Sequence, residues 1–184
     1  MKIHKHTMIA AVTGLTLLLA PAGGRAADEQ AGEQRGQLSE RDYKFLKEAA
    51  RANQTEIQLG ELARQKGNSQ SVRNFGEKMV TDHSKALDEL KRIASQKGAT
   101  PPATLSHGER SSLEHLTKAT GKDFDKAYAS DMVKDHKKDV KEFEDASKDL
   151  KDPDLKAFAD KTLPTLQEHL RMAQDMESTV KSEK

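Results

Sequence analysis

The chain has 184 residues, with 31 Lys and Arg against 30 Asp and Glu, five Phe, two Tyr, no Trp and no Cys. The balanced charge and sparse aromatics exclude a nucleic-acid binder, which needs a basic face and stacking rings. Without Cys there are no disulfides, thiolate nucleophiles or iron–sulfur ligands, and no lipidated Cys of a lipoprotein, so any bound metal must use His, Asp, Glu or Met.

Residues 1–26 read as a cleaved signal peptide. Lys2, His4, Lys5 and His6 make a basic start, Thr7 to Ala20 is uncharged, and small residues Gly24 and Ala26 precede the expected cut. An apolar run of 14 residues is short for a membrane span and suits a secretory leader. Cleavage after Ala26 removes Lys2, Lys5 and Arg25, leaving 28 basic against 30 acidic residues, a charge of −2. No second hydrophobic segment follows, so no transmembrane segment is expected in the mature chain. The expected location is the periplasm or the cell exterior. Residues 27–38 are polar and rich in Gly and Gln, and read as a flexible tether.

The folded domain is expected over residues 39–182. Ser39 caps a first helix with Phe45, Ala49, Ala52, Glu56, Leu59 and Ala63 inward, ended by Gly67. Ser69 opens a second, with Val72, Phe75, Gly76, Met79, His83, Leu87, Leu90 and Ala94 on one face up to Gly98. Pro101 and Pro102 then forbid helix, and a short amphipathic piece around Leu105, Leu113 and Leu116 ends at Gly121. A third long helix, capped by Asp123, carries Phe124, Tyr128, Met132, His136, Val140, Phe143, Ser147 and Leu150 inward. Asp152 and Pro153 restart the chain into a fourth, burying Leu155, Phe158, Thr162, Leu166, His169, Ala173, Met176 and Val180, with Pro164 expected to kink it. The pattern is all-α: an antiparallel four-helix bundle with one crossover that contains a short extra helix. Gly60 and Gly76, each costing about 1 kcal/mol against Ala inside a helix, are expected to permit close helix approach.

Three helices share a local signature: an acidic residue, His, then apolar residues four and seven positions on. These are Asp82-His83 with Leu87 and Leu90, Asp135-His136 with Val140 and Phe143, and Glu168-His169 with Ala173 and Met176. Each His falls on the inward stripe; the first helix offers Glu56 instead. His136 stands 16 residues before Asp152 and His169 stands 17 after it, nearly level in an antiparallel pair. Glu56 is 12 before Asn68 and His83 is 15 after it, a mismatch of three residues, or about 4.5 Å of helix rise. One Glu and three His are thus expected in a single layer inside the bundle, where such folds build metal sites. The candidate ligands are Glu56, His83, His136 and His169. Asp82, Asp135 and Glu168 are candidates to orient the rings. An imidazole-rich set suits zinc, copper or iron, and thioethers at Met79 and Met132 would tilt the choice toward copper. The plainer alternative is a buried hydrogen-bonded layer that fixes helix register.

Other features carry less. His107 and His115 are expected in solvent, the run KKDVKEFEDASKDLKD reads as a solvated face, and the Tyr43 and Tyr128 hydroxyls are expected near the surface. No nucleotide-binding glycine loop, G-x-S-x-G or H-E-x-x-H occurs, which removes nucleotide, acyl-transfer and zincin chemistries.

The segments DYKFLKEAARANQTEIQLGELA, NFGEKMVTDHSKALDEL, GKDFDKAYASDMVKDH and KAFADKTLPTLQEHL, in that order, resemble the exported bacterial family called domain of unknown function 4142, over about residues 39–178. That resemblance implies a ferritin-like bundle and a periplasmic or outer-membrane-associated location. The sequence departs from di-iron ferritins, which need Glu three residues before each ligand His, where Val80 and Leu166 stand here. The leading reading is an exported, non-catalytic bundle that binds a ligand, metal or partner, with Glu56, His83, His136 and His169 as a candidate mononuclear metal site. The alternatives are a metal-dependent envelope oxidoreductase and an interaction protein with a cell-envelope or protein partner, whose histidine layer is purely structural.

Overall fold

The computed structural model describes residues 34–102 and 104–182. The expected signal peptide, and residues 27–33 of the expected tether, lie outside the described residues. Among the described residues there are five helices: α1 (Glu40–Lys66), α2 (Gln70–Gln96), α3 (His107–Lys118), α4 (Gly121–Asp149) and α5 (Pro153–Ser182). Among the described residues no helix is long and apolar enough to cross a membrane.

The caps explain the boundaries. Ser39 and Ser69 lie in extended backbone, and each hydroxyl accepts from an amide in the first turn, that of Asp42 and of Val72. Ser106 and Glu109 form a reciprocal capping box that starts α3. α4 begins three residues earlier than expected: Thr120 is its cap residue, Gly121 takes a φ of 56°, and Asp123 sits in the first turn rather than at the cap. α5 runs unbroken through Pro164.

α1 and α2 form one antiparallel hairpin and α4 and α5 the other, with α2 also against α5 and α1 against α4. The crossover runs back along α1, held by Gln54 Nε2 donating to the Pro102 carbonyl and Lys66 Nζ donating to that of Thr117. α3 thereby covers the seam between α1 and α4. Residues 34–38 lie against the end of α2: Gln34 and Thr100 form an isolated antiparallel bridge, the Gln37 amide donates to the Lys97 carbonyl, and Leu38 is buried.

The inward stripes match the expected ones closely, with Ala52, Val140, Ser147 and Thr162 only half-buried. On α4 the inward side follows alternating steps of three and four, through Met132, His136, Asp139, Phe143, Ala146 and Leu150, the spacing of a helix against near-antiparallel neighbours. Asp139 is thus buried, correcting the solvated reading of its charged run. α1 and α2 pack backbone to backbone, since a Cβ on Gly60 would stand 2.7 Å from the Gly76 carbonyl oxygen, and one on Gly76 2.7 Å from that of Gly60.

The hairpins are latched at opposite ends. The Asp125 carboxylate of α4 accepts from the amides of Asn68 and Ser69 in the α1/α2 turn, at 2.8 and 2.7 Å. In return, Asp42 of α1 accepts from the Lys151 amide in the α4/α5 turn at 2.9 Å. The apolar core falls into two blocks. One is centred on Leu46, Leu90, Phe143 and Phe158, the other on Leu59, Phe75, Tyr128 and Met132.

Candidate metal centre

A polar layer separates the two blocks. It contains His83, His136 and His169, none more than 4% exposed, together with buried Asn53 and Glu56 of α1 and Asp139 of α4. Each histidine occupies a slot in a mainly apolar stripe: His83 lies between Met79 and Leu87, His136 between Met132 and, past Asp139, Phe143, and His169 between Leu166 and Ala173. Helical spacing therefore aims all three at the bundle axis. Their ring centroids stand 5.7 Å (83–136), 5.4 Å (83–169) and 5.5 Å (136–169) apart. One nitrogen from each ring falls within 4.8 Å of the other two.

The hydrogen bonds determine which nitrogens keep a free lone pair. His83 Nδ1 meets the Asn53 side-chain oxygen at 2.9 Å, and Asn53 spends its amide nitrogen on the Ala49 carbonyl. His136 Nδ1 meets the Met132 carbonyl at 2.9 Å, and His169 Nε2 meets the Asp82 carboxylate at 3.1 Å. All three partners are acceptors, so each of those ring nitrogens carries the hydrogen and donates. The opposite nitrogens, Nε2 of His83, Nε2 of His136 and Nδ1 of His169, are left with lone pairs. All three are buried and have no hydrogen-bond partner.

Three buried lone pairs without a donor, in rings packed this close together, are costly in a dry interior. Protonation would not relieve this cheaply. Burial pushes the His83 imidazole well below its ordinary range, helped by the other two rings. Burial likewise takes His136 down to about 4 and lowers His169, against the opposing pull of Asp82. At neutral pH the centre presents three neutral imidazoles, the form that ligates a transition metal.

The other expected residues lie elsewhere. Glu56 is buried in the same layer, but its carboxylate is not among the nitrogens and oxygens that gather within 4.8 Å. It lines a cleft between α1, α3 and α4 with Asp135 and Asp139, and its Oε2 has no partner. Burial, then the like charges of Asp139, Asp135 and Asp131, push its carboxyl well up. Asp82 does orient a ring, though on the neighbouring helix rather than its own. Asp135 faces the cleft, and Glu168, mostly exposed, stands 3.9 Å from Lys78. Met79 and Met132 are buried in the core block beside the layer. His107 and His115 are exposed as expected. The Tyr128 hydroxyl is buried without a partner, not near the surface. Asn53 was not singled out by sequence, although an amide one turn before an inward Glu is a polar signal on a buried stripe.

The fold has solved counterparts. A DUF305 fragment from Deinococcus radiodurans superposes with a TM-score of 0.69 at 11% identity, covering 77% of this chain and 98% of that one. CopM in its Cu(II)-bound form superposes with a TM-score of 0.64 at 18% identity, covering 75% and 96%. No curated protein matches the sequence. The profile of the family described as "Domain of unknown function (DUF4142)" matches residues 27–176, which is most of the chain. The chain belongs to the DUF4142 family.

Proposed function

We propose that this protein is a binding protein for one transition-metal ion, held in the mid-bundle layer by Nε2 of His83, Nε2 of His136 and Nδ1 of His169. The observation that carries this reading is the division of labour within each ring. One nitrogen donates to a fixed acceptor and the other is buried and unpartnered, in three rings that bring one nitrogen each within 4.8 Å of the others. Metal-ligating histidines are typically held in this way, with the outer hydrogen bond setting tautomer and ring orientation. Imidazole sets suit copper, zinc and iron. Copper is the first ion to test, because the bundle of similar fold was solved with Cu(II) bound.

In this reading the protein stores, buffers or carries its ion rather than turning over a substrate, since the three rings are almost wholly buried. It does so outside the cytoplasm, where the leader-like residues 1–26 would send it. The test is elemental analysis of untagged protein from its native compartment, beside a variant with His83, His136 and His169 replaced by Gln. About one ion per chain, absent from the variant, is the expected result. Added metal should also raise the melting temperature, since ligand at 100 times Kd stabilises by about 2.7 kcal/mol. No metal in either protein, with melting indifferent to copper, zinc and iron, would leave a structural polar layer in its place.

A further inference from the structure

The buried centre raises the question of access, and its two sides differ. Toward α2 and α5, the outer nitrogen of His169 is covered by Asp82, and Asp82 is itself covered by two lysines, Lys78 Nζ at 3.1 Å and Lys85 Nζ at 3.8 Å. A cation approaching there meets ammonium groups. On the side of α1 and α4 lies the cleft roofed by α3, about 390 Å³ in volume. Five carboxylates line it, Glu48, Glu56, Glu109, Asp135 and Asp139, against two lysines, Lys134 and Lys138, whose side chains are exposed.

Resting on the metal-binding reading above, we propose that the α1–α3–α4 cleft is the route by which the cation reaches the histidine trio, with Glu56 and Asp139 as the carboxylates that receive it at the inner end. Three observations converge on this pair. Glu56 Oε2 is buried, has no hydrogen-bond partner and belongs to a residue only 2% exposed that nonetheless lines the cleft. Asp139 is buried beside the same cleft. Each also stands one helical turn from a member of the centre: Glu56 three residues after Asn53, which holds His83, and Asp139 three residues after His136. Residues three apart on a helix are neighbours on its surface. The inner wall of the cleft is therefore continuous with the layer that holds the rings.

The chemistry of the pair fits a receiving role. Burial pushes the Asp139 carboxyl up to about 7 and that of Glu56 well up, so an arriving cation displaces a proton and supplies the charge that compensates the buried carboxylate. Oxygen ligands that bind loosely and give way to three imidazoles form an ordered path from hard to softer donors. A cleft lined mostly by one sign of charge also raises the local concentration of the opposite ion.

The test is stopped-flow mixing of metal-free protein with Co(II), following the visible band that appears when nitrogen ligands surround the ion. The double variant Glu56→Gln, Asp139→Asn should load several-fold more slowly than wild type, because neither amide can give up a proton to become an anionic oxygen ligand for the incoming ion, yet reach the same final spectrum. An Asp175→Asn variant, on the exposed face of α5 away from the centre, should load at the wild-type rate. Loading of the folded double variant at the wild-type rate would overturn the route and leave the metal centre standing. Failure of wild type to bind any ion would instead sink the metal reading and the route with it. Should the double variant not fold, Glu48→Lys at the half-buried rim carries the same test, with slower loading expected and an unchanged rate overturning the proposal.

Discussion

Asp82 of α2 and His169 of α5 form the one described carboxylate–imidazole hydrogen bond of the centre, and it crosses between helices, at 3.1 Å. Burial alone would raise the Asp82 carboxyl, but hydrogen bonds from His169 and Lys78 outweigh it and hold the group below its ordinary range. The aspartate is thus charged at any physiological pH, and it fixes His169 with Nδ1 turned inward. Asp82→Ala should weaken metal binding by about 10- to 100-fold, the usual effect of losing such a partner. Competition titration against a chelator of known affinity measures this; unchanged affinity would show that packing alone orients the ring.

The metal-free protein should prefer an apolar residue in place of one ring. His136→Leu removes one of three buried lone pairs, while the Met132 carbonyl keeps its helical partner. Urea unfolding of the metal-free variant should show a gain of about 1 kcal/mol, because an unmet buried acceptor costs about that or more. The same variant should lose the stabilisation by metal. A large loss of metal-free stability would mean that the His136 Nε2 acceptor is satisfied after all.

The pH dependence of metal-free stability follows from opposing shifts. The three histidines have depressed values in the folded state, so between about 4 and about 6.5 the unfolded chain binds more protons. Their contribution makes stability rise with pH across that window. Glu56 and Asp139 have raised values, Asp139 to about 7. There the folded state binds more protons, and stability falls as pH rises. Wild type should therefore show a shallow profile, and Glu56→Gln with Asp139→Asn a steeper rise toward pH 6.5. Denaturant midpoints at several pH values check the slopes; identical slopes would contradict the burial of the two carboxyls.

Gly76→Ala should cost about 1 to 3 kcal/mol, the range for overpacking a tight contact. The new methyl would meet the Gly60 carbonyl, which is backbone and cannot swing aside. Separation of α1 from α2 would also disturb the Asn53–His83 hydrogen bond across that interface. A melting temperature and a metal affinity that fall together check this, whereas a fall in stability alone would confine the effect to packing.

Much of this architecture is legible in the sequence because each helix is bounded by a cap and carries its own stripe. Ser39, Ser69 and Pro153 mark starts, and three acidic-His pairs placed at matched distances from two turns give the layer. Periodicity does not reveal which way a polar side chain turns once inside. Glu56 lies on the inward stripe, yet its carboxylate faces the cleft, because α3 folds back there and leaves polar space between α1 and α4. Asp139 was hidden for a related reason, since in a run with alternating charges a step of three and a step of four look alike. The bond from Asp82 to His169 links two helices, and no local pattern encodes which neighbour an acidic residue will meet.

The paired latches at Asp42 and Asp125 bear on how the halves find each other. Each hairpin closes a turn whose free amides are completed by an acid from the other. A chain cut in the crossover would therefore yield two pieces that carry complementary keys at both ends. Sliding by a turn would empty both locks at once, so the halves have one register in which to dock, and in that register the histidines are level.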